Sequence, residues 1–505
     1  MATTLSPPRV DGPPEDEAPP DPPVDRPARR WYGDGLALLA AGITAFEAAS
    51  PIVDNSFMTH LATGRLLVDG TYPRTNPFLY SSTDFPMPSW WWSGVLGVVD
   101  RVGSGAGIRL LTALLGALLG ALLVRIARPY LTGDSRDRLV PIVVPVACAV
   151  IVMMPFLNAR PQLPGYLLLG VTVLVVVERR SPWWLVPVFA TWLNVHGTWV
   201  YGLIVLAVVA GAELVDRRDG ALRARLTRTA ALGGAAVLGV LVGGVASPEP
   251  LRLVGLPLEQ FGDERARLAL QSYQEWKPAG WDHPLTWVLL VMCLLALLGA
   301  VRRRAWGAGA GALVLTAMGM SAGRLLPLAV ITLVPWAAAG LVGIGSIRLP
   351  RGAVARALGV VGVALMAVAV LWIGTTPAYD LQKYPVKAVD WLEHRGLVGT
   401  TGSKVLSRDY IGNYLDLRFG THANTFVDDR PGTDALLDYA AIAHLSPGWR
   451  QAFRRADPDV VLWTTDERNM DGIVGKLDHD PGWYRAGDFG DFTVFCRSSI
   501  ADRCR

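Results

Sequence analysis

Long apolar runs recur along most of this 505-residue chain, and they restrict its fold more than any other feature. A helix needs roughly 18 or more apolar residues to cross the hydrocarbon core of a bilayer. Only 18% of the residues are charged, whereas about 25% is usual in soluble proteins. We therefore predict an α-helical polytopic membrane protein with about eleven transmembrane helices.

Basic residues beside these runs predict how the chain is threaded. The first run, residues 33–50, follows Arg26, Arg29 and Arg30, and turns rich in arginine return along the chain after every second run. Cytoplasmic loops of membrane proteins carry an excess of Lys and Arg. The N-terminus is therefore predicted to be cytoplasmic, and the last run, residues 353–374, is predicted to end outside the membrane.

The chain divides into three parts by composition. Residues 1–30 are rich in Pro and acidic residues and have no apolar face, which predicts a disordered cytoplasmic tail. Residues 31–374 hold the apolar runs, together with an outer loop at 51–104 whose spacing predicts two surface helices. Residues 375–505 are more polar and alternate helix-like with strand-like runs, which predicts an extracytoplasmic α/β domain.

Short patterns predict the elements of this outer domain. The helix-like runs are Val386 to Arg395 and Ala435 to Ala443, and the strand-like runs are Lys404 to Ser407, Thr425 to Asp428, Val460 to Thr464 and Phe492 to Phe495. Cys496 and Cys504 lie close together in the sequence, and disulfide bonds persist outside the cytoplasm. The sequence permits a bridge between these two cysteines but does not decide it.

Unusual polar residues gather at the predicted outer ends of the apolar runs. Ionisable groups at membrane depth are costly, so a convergent set of them predicts a functional site. The candidates are Asp54, His60, Arg65, Arg160, Gln162, Asn194, His196, Glu275 and Arg324. We therefore predict a polar, catalytic cleft on the outer face of the membrane.

Each candidate also has a structural interpretation. Asp54 follows the first run and suits a general base, but an Asp at this position also suits the N-cap of the next helix. Arg160 suits a phosphate group, although an arginine can also extend to lipid headgroups. His196 suits acid–base chemistry or a hydrogen bond to substrate, although a lone histidine is more often structural. With the tryptophans around it, this segment suits sugar recognition as well as it suits an interfacial aromatic belt. Trp90 and the two tryptophans after it are predicted to lie at the membrane interface.

One motif of the outer domain stands apart from these candidates. The run Thr425-Phe426-Val427-Asp428-Asp429-Arg430-Pro431 ends a strand-like segment in two acidic residues and an arginine. Such a motif can bind a ligand, or it can form a structural loop with an internal ion pair. We interpret it as the structural loop.

Several function classes are excluded by the sequence. It lacks a Walker loop, a dinucleotide-binding glycine pattern, zinc-ligand spacing and a nucleophile elbow. The net charge of +4 is small and the arginines flank apolar runs, so we predict no nucleic-acid partner. No cofactor is indicated with certainty. A divalent metal ion remains possible if Asp54 and Glu275 converge.

The order of these motifs resembles the GT-C superfamily of integral-membrane glycosyltransferases, and in particular a poorly characterised bacterial branch of it. The resemblance covers most of the chain from residue 33 onward. The stretches that carry it are Asp54 to Gly70, Tyr72 to Phe78, Arg160-Pro161-Gln162, Asn194-Val195-His196-Gly197, Arg324-Leu325-Leu326-Pro327, Gly412-Asn413-Tyr414-Leu415 and Val427-Asp428-Asp429-Arg430.

The resemblance implies a function at the outer face of a bacterial plasma membrane. Such enzymes move a sugar from a polyprenyl-phosphate donor to an extracytoplasmic glycan, lipid or protein acceptor. Asp54 matches the acidic residue of the first outer loop, so it is the expected base, with His196 as the second catalytic residue. Donor binding is expected from His60, Arg65, Arg160, Gln162, Asn194, Glu275 and Arg324.

The chain departs from the resemblance at one position. Related sequences often have an acidic residue before a Trp-Leu pair in the second surface helix, where this chain has Trp90-Trp91-Trp92-Ser93. A second carboxylate must therefore come from elsewhere, and Glu275 is the candidate. A transporter of a lipid-linked glycan and a non-catalytic membrane scaffold remain as alternatives.

Overall fold

The structure is a computed structural model. It describes residues 31–82, 84–131, 138–216, 221–270, 274–344, 347–348, 352–399, 402–430, 432–465 and 472–505. The predicted tail of residues 1–30 lies outside the described residues.

Apolar helices make up the first three quarters of the chain, as the sequence predicts. They are α1 (Trp31–Ala48), α2 (Ser56–Val68), α3 (Trp90–Ile126), α4 (Val140–Met153), α5 (Gln162–Val177), α6 (Leu185–Val195), α7 (Trp199–Asp216), α8 (Leu222–Val245), α9 (Arg252–Gly262), α10 (Glu264–Leu270), α11 (Pro284–Arg303), α12 (Trp306–Ser321), α13 (Leu326–Gly340) and α14 (Ala353–Thr375).

The chain is a multi-pass membrane protein. Within the described residues, 6 helical segments are long and apolar enough to cross a membrane, and shorter apolar helices lie between them. Every residue of α13 is buried, whereas α14 is mostly exposed to the surroundings. Helix α13 is therefore the centre of the bundle and α14 lies at its periphery. The predicted number of about eleven spans and the predicted orientation stay predictions.

The outer loop at 51–104 contains both predicted helices, but their arrangement differs from the prediction. Helix α2 packs closely on α3, since a Cβ atom on Gly64 would lie 2.0 Å from the carbonyl oxygen of Ser93. The second predicted surface helix is the start of α3, which continues into the membrane. A break at Ser104, where φ is 51°, separates the two parts. The boundary predicted near residue 104 is therefore a kink within one long helix.

Arg109 joins three helices just inside this kink. The side chain is fully buried, and its Nε donates a hydrogen bond to the carbonyl oxygen of Ala49 at 2.8 Å. Its Nη1 donates to the carbonyl oxygen and the hydroxyl of Thr376, at 3.1 and 3.0 Å. These acceptors follow the ends of α1 and α14, where helix carbonyl groups lack partners. Arg109 thereby fixes the outer ends of both helices against α3.

The C-terminal region contains a four-stranded sheet with the strand order β1-β2-β4-β3. Strand β1 (Val405–Ser407) is parallel to β2 (Val460–Thr464), and β4 (Phe492–Arg497) is antiparallel to both β2 and β3 (Trp483–Asp488). The described helices are α15 (Val386–His394), α16 (Asp409–Phe419), α17 (Thr433–Ala443), α18 (Trp449–Ala456), α19 (Ile473–Asp478) and α20 (Ala501–Cys504).

The sequence pattern correctly predicted strands β1, β2 and β4 and helices α15 and α17. It also predicted one strand that is absent, and it missed β3. Thr425 to Asp428 forms no strand, because the backbone hydrogen bonds of Thr425 go to Phe78 and Tyr80 of the outer loop. Within this run, Thr425 makes isolated bridges to Leu79 and Val405, and the residues after it belong to no strand. Strand β3 has no apolar alternation and was not predicted. Cys496 and Cys504 form a disulfide bond that joins β4 to α20.

The C-terminal region packs directly against the outer loop. The hydroxyl of Thr59 on α2 donates a hydrogen bond to Oδ1 of Asn413 on α16 at 2.7 Å. Arg430 donates to the hydroxyl of Thr63 on α2 at 2.9 Å. A bridge between Ile52 and Tyr379 adds a backbone contact next to the end of α1. The loop at 425–430 therefore lies over the same ends of the helices as the predicted cleft.

Candidate functional site

Four of the predicted site residues form a continuous chain of opposite charges. The Nε atom of Arg160 lies 2.5 Å from Oδ1 of Asp54, and its Nη1 lies 2.5 Å from Oε2 of Glu275. The other oxygen of Glu275 accepts from Nη1 of Arg324 at 3.1 Å. These groups come from loops far apart in the sequence. The predicted convergence of Asp54, Arg160, Glu275 and Arg324 is therefore present in the structure.

Asp54 has the capping role that the sequence left open, and it also forms the first member of the charge chain. Its Oδ1 accepts the backbone N–H of Phe57 at 3.2 Å, so it holds the first turn of α2 in the manner of a capping residue. The same oxygen accepts from Arg160. Oδ2 has a longer contact, 3.4 Å, from the amide of Asn158. Oδ2 is thus the more loosely held oxygen of this carboxylate.

Arg160 is positioned by the short connection between α4 and α5. Its backbone N–H donates to Oδ1 of Asn158 at 3.1 Å, and Pro161 follows it as the residue before α5. The side chain is only 14% exposed. Burial lowers the pKa of the Arg160 guanidinium, but Asp54 and Glu275 more than offset this and raise it above its usual value. Arg160 is therefore a permanent positive charge between two carboxylates.

Glu275 and Arg324 close the other end of the charge chain. Glu275 lies in a short helical turn, Gln274–Trp276, and Arg324 lies in another, Gly323–Leu325. Burial raises the pKa of Glu275, but the positive charges of Arg324 and Arg160 outweigh it and hold the pKa below its usual value. The guanidinium of Arg324 also lies 4.3 Å from the ring centre of Trp276, a cation–π distance.

His196 extends the chain beyond Arg324. Its Nε2 lies 3.4 Å from Nη2 of Arg324, and its Nδ1 lies 2.8 Å from the hydroxyl of Thr198. The backbone N–H of Thr198 also donates a hydrogen bond to Nδ1 at 3.3 Å, so the imidazole ring is held beside the guanidinium of Arg324. In this arrangement His196 orients Arg324.

The remaining predicted residues lie in different surroundings. Asn194 accepts from Nε1 of Trp90 at 2.7 Å and donates to the carbonyl oxygen of Gly243 at 3.0 Å, so it joins three helices. His60 contacts the hydroxyl of Ser93 at 3.1 Å, and Gln162 is buried at the start of α5. Arg65 is exposed and pairs with Asp100 at 2.9 Å, apart from the charge chain.

The loop at 425–430 contributes acidic groups that the sequence analysis did not assign to the site. Asp428 of this loop and Asp416 of α16 are fully buried beside Arg430, and burial raises the pKa of both. The predicted internal ion pair joins Arg430 to Asp428 at 3.8 Å. Asp429 points the other way, toward Asn55, with 3.5 Å between its Oδ1 and the amide nitrogen. A motif interpreted as purely structural thus delivers one carboxyl group to the site.

The residues present do not fit a divalent metal ion. Asp54 and Glu275 do converge, but they converge on Arg160, whose guanidinium fills the position between them. Magnesium can be held by one or two carboxylates with water as the other ligands, but here a positive guanidinium pairs with both carboxylates and repels a second cation. Over the part of the chain that the structure describes, no group of three or more His, Cys, Asp or Glu side chains could hold a metal ion. The fixed positive charge at this site is therefore supplied by arginine.

Comparison of the structure with solved structures identifies the fold. Two structures of an oligosaccharyltransferase from Archaeoglobus fulgidus are similar over almost the whole chain. One is in complex with an inhibitory peptide and a dolichol-phosphate, with a TM-score of 0.54, 10% identity, and coverage of 93% of this chain and 74% of that chain. The other, tethered to an acceptor peptide, has a TM-score of 0.55, 10% identity, and coverage of 92% and 74%.

The chain therefore shares the fold of these oligosaccharyltransferase structures. The resemblance expected from the motifs is therefore confirmed at the level of the fold. Comparison of the sequence alone finds no matching family profile and no matching curated protein. With 10% identity the fold similarity does not by itself assign roles to residues, so those roles have to be argued from the contacts of this chain.

Proposed function

We propose that this protein is a membrane glycosyltransferase that moves a sugar from a polyprenyl-phosphate donor to an acceptor outside a bacterial plasma membrane. The observation that carries the proposal is the charge chain from Asp54 to Arg324, which lies where the GT-C fold meets its C-terminal region. The fold supports a lipid-phosphate donor, since one similar structure is in complex with a dolichol-phosphate. The acceptor would be a glycan, a lipid or a protein.

The two arginines are proposed to bind the phosphate of the donor. A guanidinium presents paired N–H groups that match phosphate oxygens, and its charge is permanent. Arg160 and Arg324 are both held by Glu275, so they are already aligned before the donor enters. Hydrogen-bond donors that are already aligned before the reaction stabilise the negative charge that develops on a leaving group. His60 and Gln162 would contact the sugar or the phosphate beside them.

The proposed reaction is a single displacement with inversion at the anomeric carbon. The acceptor hydroxyl attacks the anomeric carbon from the side opposite the phosphate, through an oxocarbenium-like transition state. The bond from that carbon to the phosphate oxygen breaks, and its electron pair leaves with the polyprenyl phosphate. Asp54 is the base expected from the sequence. Its Oδ2 atom is the oxygen that would meet the hydroxyl, because Oδ1 is held by Arg160 and Phe57.

Purified protein is expected to release free polyprenyl phosphate from one member of a panel of polyprenyl-phosphate sugars. The measurement follows the lipid phosphate and the glycosylated acceptor together, with equal amounts of folded Asp54→Asn protein as the background. The anomeric configuration of the product then tests inversion. Movement of intact lipid-linked sugar across a vesicle membrane without any release would instead identify a transporter, and neither movement nor release would identify a scaffold.

Removing divalent metal ions is expected to leave the activity unchanged. Arg160 fills the position between Asp54 and Glu275, so no step of the proposed reaction requires a bound cation. Initial rates with excess EDTA and with added magnesium or manganese should agree within about twofold, because the guanidinium of Arg160 repels a cation from the two carboxylates. Loss of activity in EDTA that a divalent ion restores would show that our assignment of the positive charge to Arg160 is incorrect.

A further inference from the structure

Asp429 brings a second carboxyl group to the side of the site where Asp54 lies. It belongs to the C-terminal region, and its backbone N–H donates to Oδ1 of Asn413 at 3.0 Å, which fixes the direction of its side chain. Its Oδ1 lies 3.5 Å from the amide nitrogen of Asn55, the residue directly after Asp54. It is also close enough to Arg160 for the two charges to interact. The loop therefore ends at the charge chain.

One oxygen of Asp429 is buried without a partner. Ser56 interacts with the carboxyl group of Asp429, but among the described residues no hydrogen-bond partner is assigned to its Oδ2 or to the buried hydroxyl of Tyr384. The charges of Asp54 and Asp429 both act on Tyr384, so these unpaired groups share one neighbourhood. Buried polar atoms in proteins almost always have partners, and an exception calls for a ligand or a chemical role. The hydroxyl group of the sugar acceptor would donate the missing hydrogen bond to Oδ2 of Asp429.

The two carboxyl groups lie in different surroundings. Burial raises the pKa of Asp429 to about 7, although the positive charge of Arg160 opposes this effect. Asp54, in contrast, is held at 2.5 Å by the guanidinium of Arg160. A base is most effective when its pKa lies near the working pH. The titratable and charged groups that face Asp429 are Arg160, Tyr384, Asp409, Asp416 and Arg430.

We infer that Asp429 takes the proton from the acceptor hydroxyl, while Asp54 stays paired with Arg160 and orients that hydroxyl. This assignment rests on the proposed glycosyltransferase function. The hydroxyl oxygen forms the new bond to the anomeric carbon, the phosphate oxygen leaves with its electron pair, and the proton moves to Oδ2 of Asp429. The C-terminal region would then supply the base, and the membrane helices would supply the phosphate site.

The pH dependence of the rate tests this inference. Asp429 must be ionised to accept a proton, so the wild-type rate should rise as the pH passes through about 7 and level off above it. In Asp429→Asn, kcat should fall by about 10²- to 10⁴-fold and this rise should disappear. Asp429→Glu keeps a carboxyl group and should keep the rise. Asp434→Asn, which removes an exposed acid of the neighbouring helix, should match the wild type.

Stability measurements separate this role from a structural one. Because burial raises the pKa of Asp429, the fold disfavours its ionised form, and any stability from the neutral form is lost as the pH rises through about 7. Asp429→Asn should therefore unfold at the same temperature as the wild type or above it at pH 8. A destabilised Asp429→Asn protein, or an active one with the pH rise intact, would overturn the inference. A wild type that transfers no sugar would overturn the proposed function instead.

Discussion

Arg160→Met is expected to lower kcat by about 10³-fold or more, because it removes the guanidinium that contacts both Asp54 and Glu275. Loss of one aligned hydrogen-bond donor at a site of developing charge lowers kcat by about 10²- to 10³-fold in well-studied enzymes. Here the change also leaves two carboxylates facing each other with no cation between them. Their repulsion would oppose the entry of a phosphate as well, so the KM for the donor should rise together with the fall in kcat.

Stability has to be measured alongside, since breaking a buried ion pair from one side costs about 3–5 kcal/mol. Asp54 and Arg160 are only 15% and 14% exposed, so this penalty applies to them. The double variant Asp54→Asn/Arg160→Met removes both charges and should recover much of the stability without recovering activity. Arg160→Lys keeps the charge but cannot contact two carboxylates at once, so it should retain only a small part of the rate.

Arg101→Met is the matched control for these variants. Arg101 lies on the outer part of α3, is exposed, and pairs with Asp69 away from the charge chain. Exposed ion pairs contribute about 1 kcal/mol or less, so this variant should keep both its stability and its rate. If Arg160→Met and Arg101→Met were equally active, the phosphate-binding role proposed for Arg160 would be wrong.

The sequence was sufficient to place the charge chain at one end of the helices. Alternate connections between spans return to the same side of a membrane, so Asp54, Arg160 and Arg324 had to share a face once the arginine-rich turns were assigned to the other. The sequence could not predict which acidic side chain pairs with which arginine. Which carboxylate meets which guanidinium depends on the packing of the helices, and the convergence of Asp54 and Glu275 on Arg160 is a product of that packing.

Helix geometry explains why His60 and Arg65 have different neighbours although both lie on α2. The two residues are five positions apart on α2, which places them about 140° apart around the helix axis. His60 therefore points to Ser93 and the cleft, whereas Arg65 points to Asp100 and to the carbonyl oxygen of Leu417. Closeness in sequence to a predicted site is therefore not enough to assign a residue to that site. The face of the helix on which a side chain lies decides whether it can enter the site.

Asp429 illustrates a different limit of the sequence. It meets Asn55 across 374 residues of chain, through a loop that was expected to be a strand and is instead joined to the outer loop at Phe78 and Tyr80. Non-local contacts of this kind follow from the docking of one region on another, and no local pattern encodes them. The sequence shows the two acidic residues before Arg430, but it does not show that the side chain of Asp429 points toward the site.

Asp54→Asn is expected to lower kcat by about 10²- to 10³-fold while the KM for the donor stays the same or falls. The amide keeps the size of the side chain and can still accept from Phe57 and Arg160, so the start of α2 should be preserved. It removes one negative charge, which leaves the group of Asp54, Arg160, Glu275 and Arg324 with a net positive charge that favours phosphate. The loss should therefore fall on the chemical step and not on donor binding.

The pH profile of Asp54→Asn separates the two carboxyl groups. If Asp54 orients the hydroxyl and Asp429 takes the proton, the residual rate of Asp54→Asn should still rise as the pH passes through about 7, because Asp429 is unchanged. In Asp429→Asn the rise should be absent. If the rise instead disappears in Asp54→Asn and persists in Asp429→Asn, then Asp54 is the base, as the resemblance implied. The two variants measured over the same range therefore decide which region of the fold supplies the base.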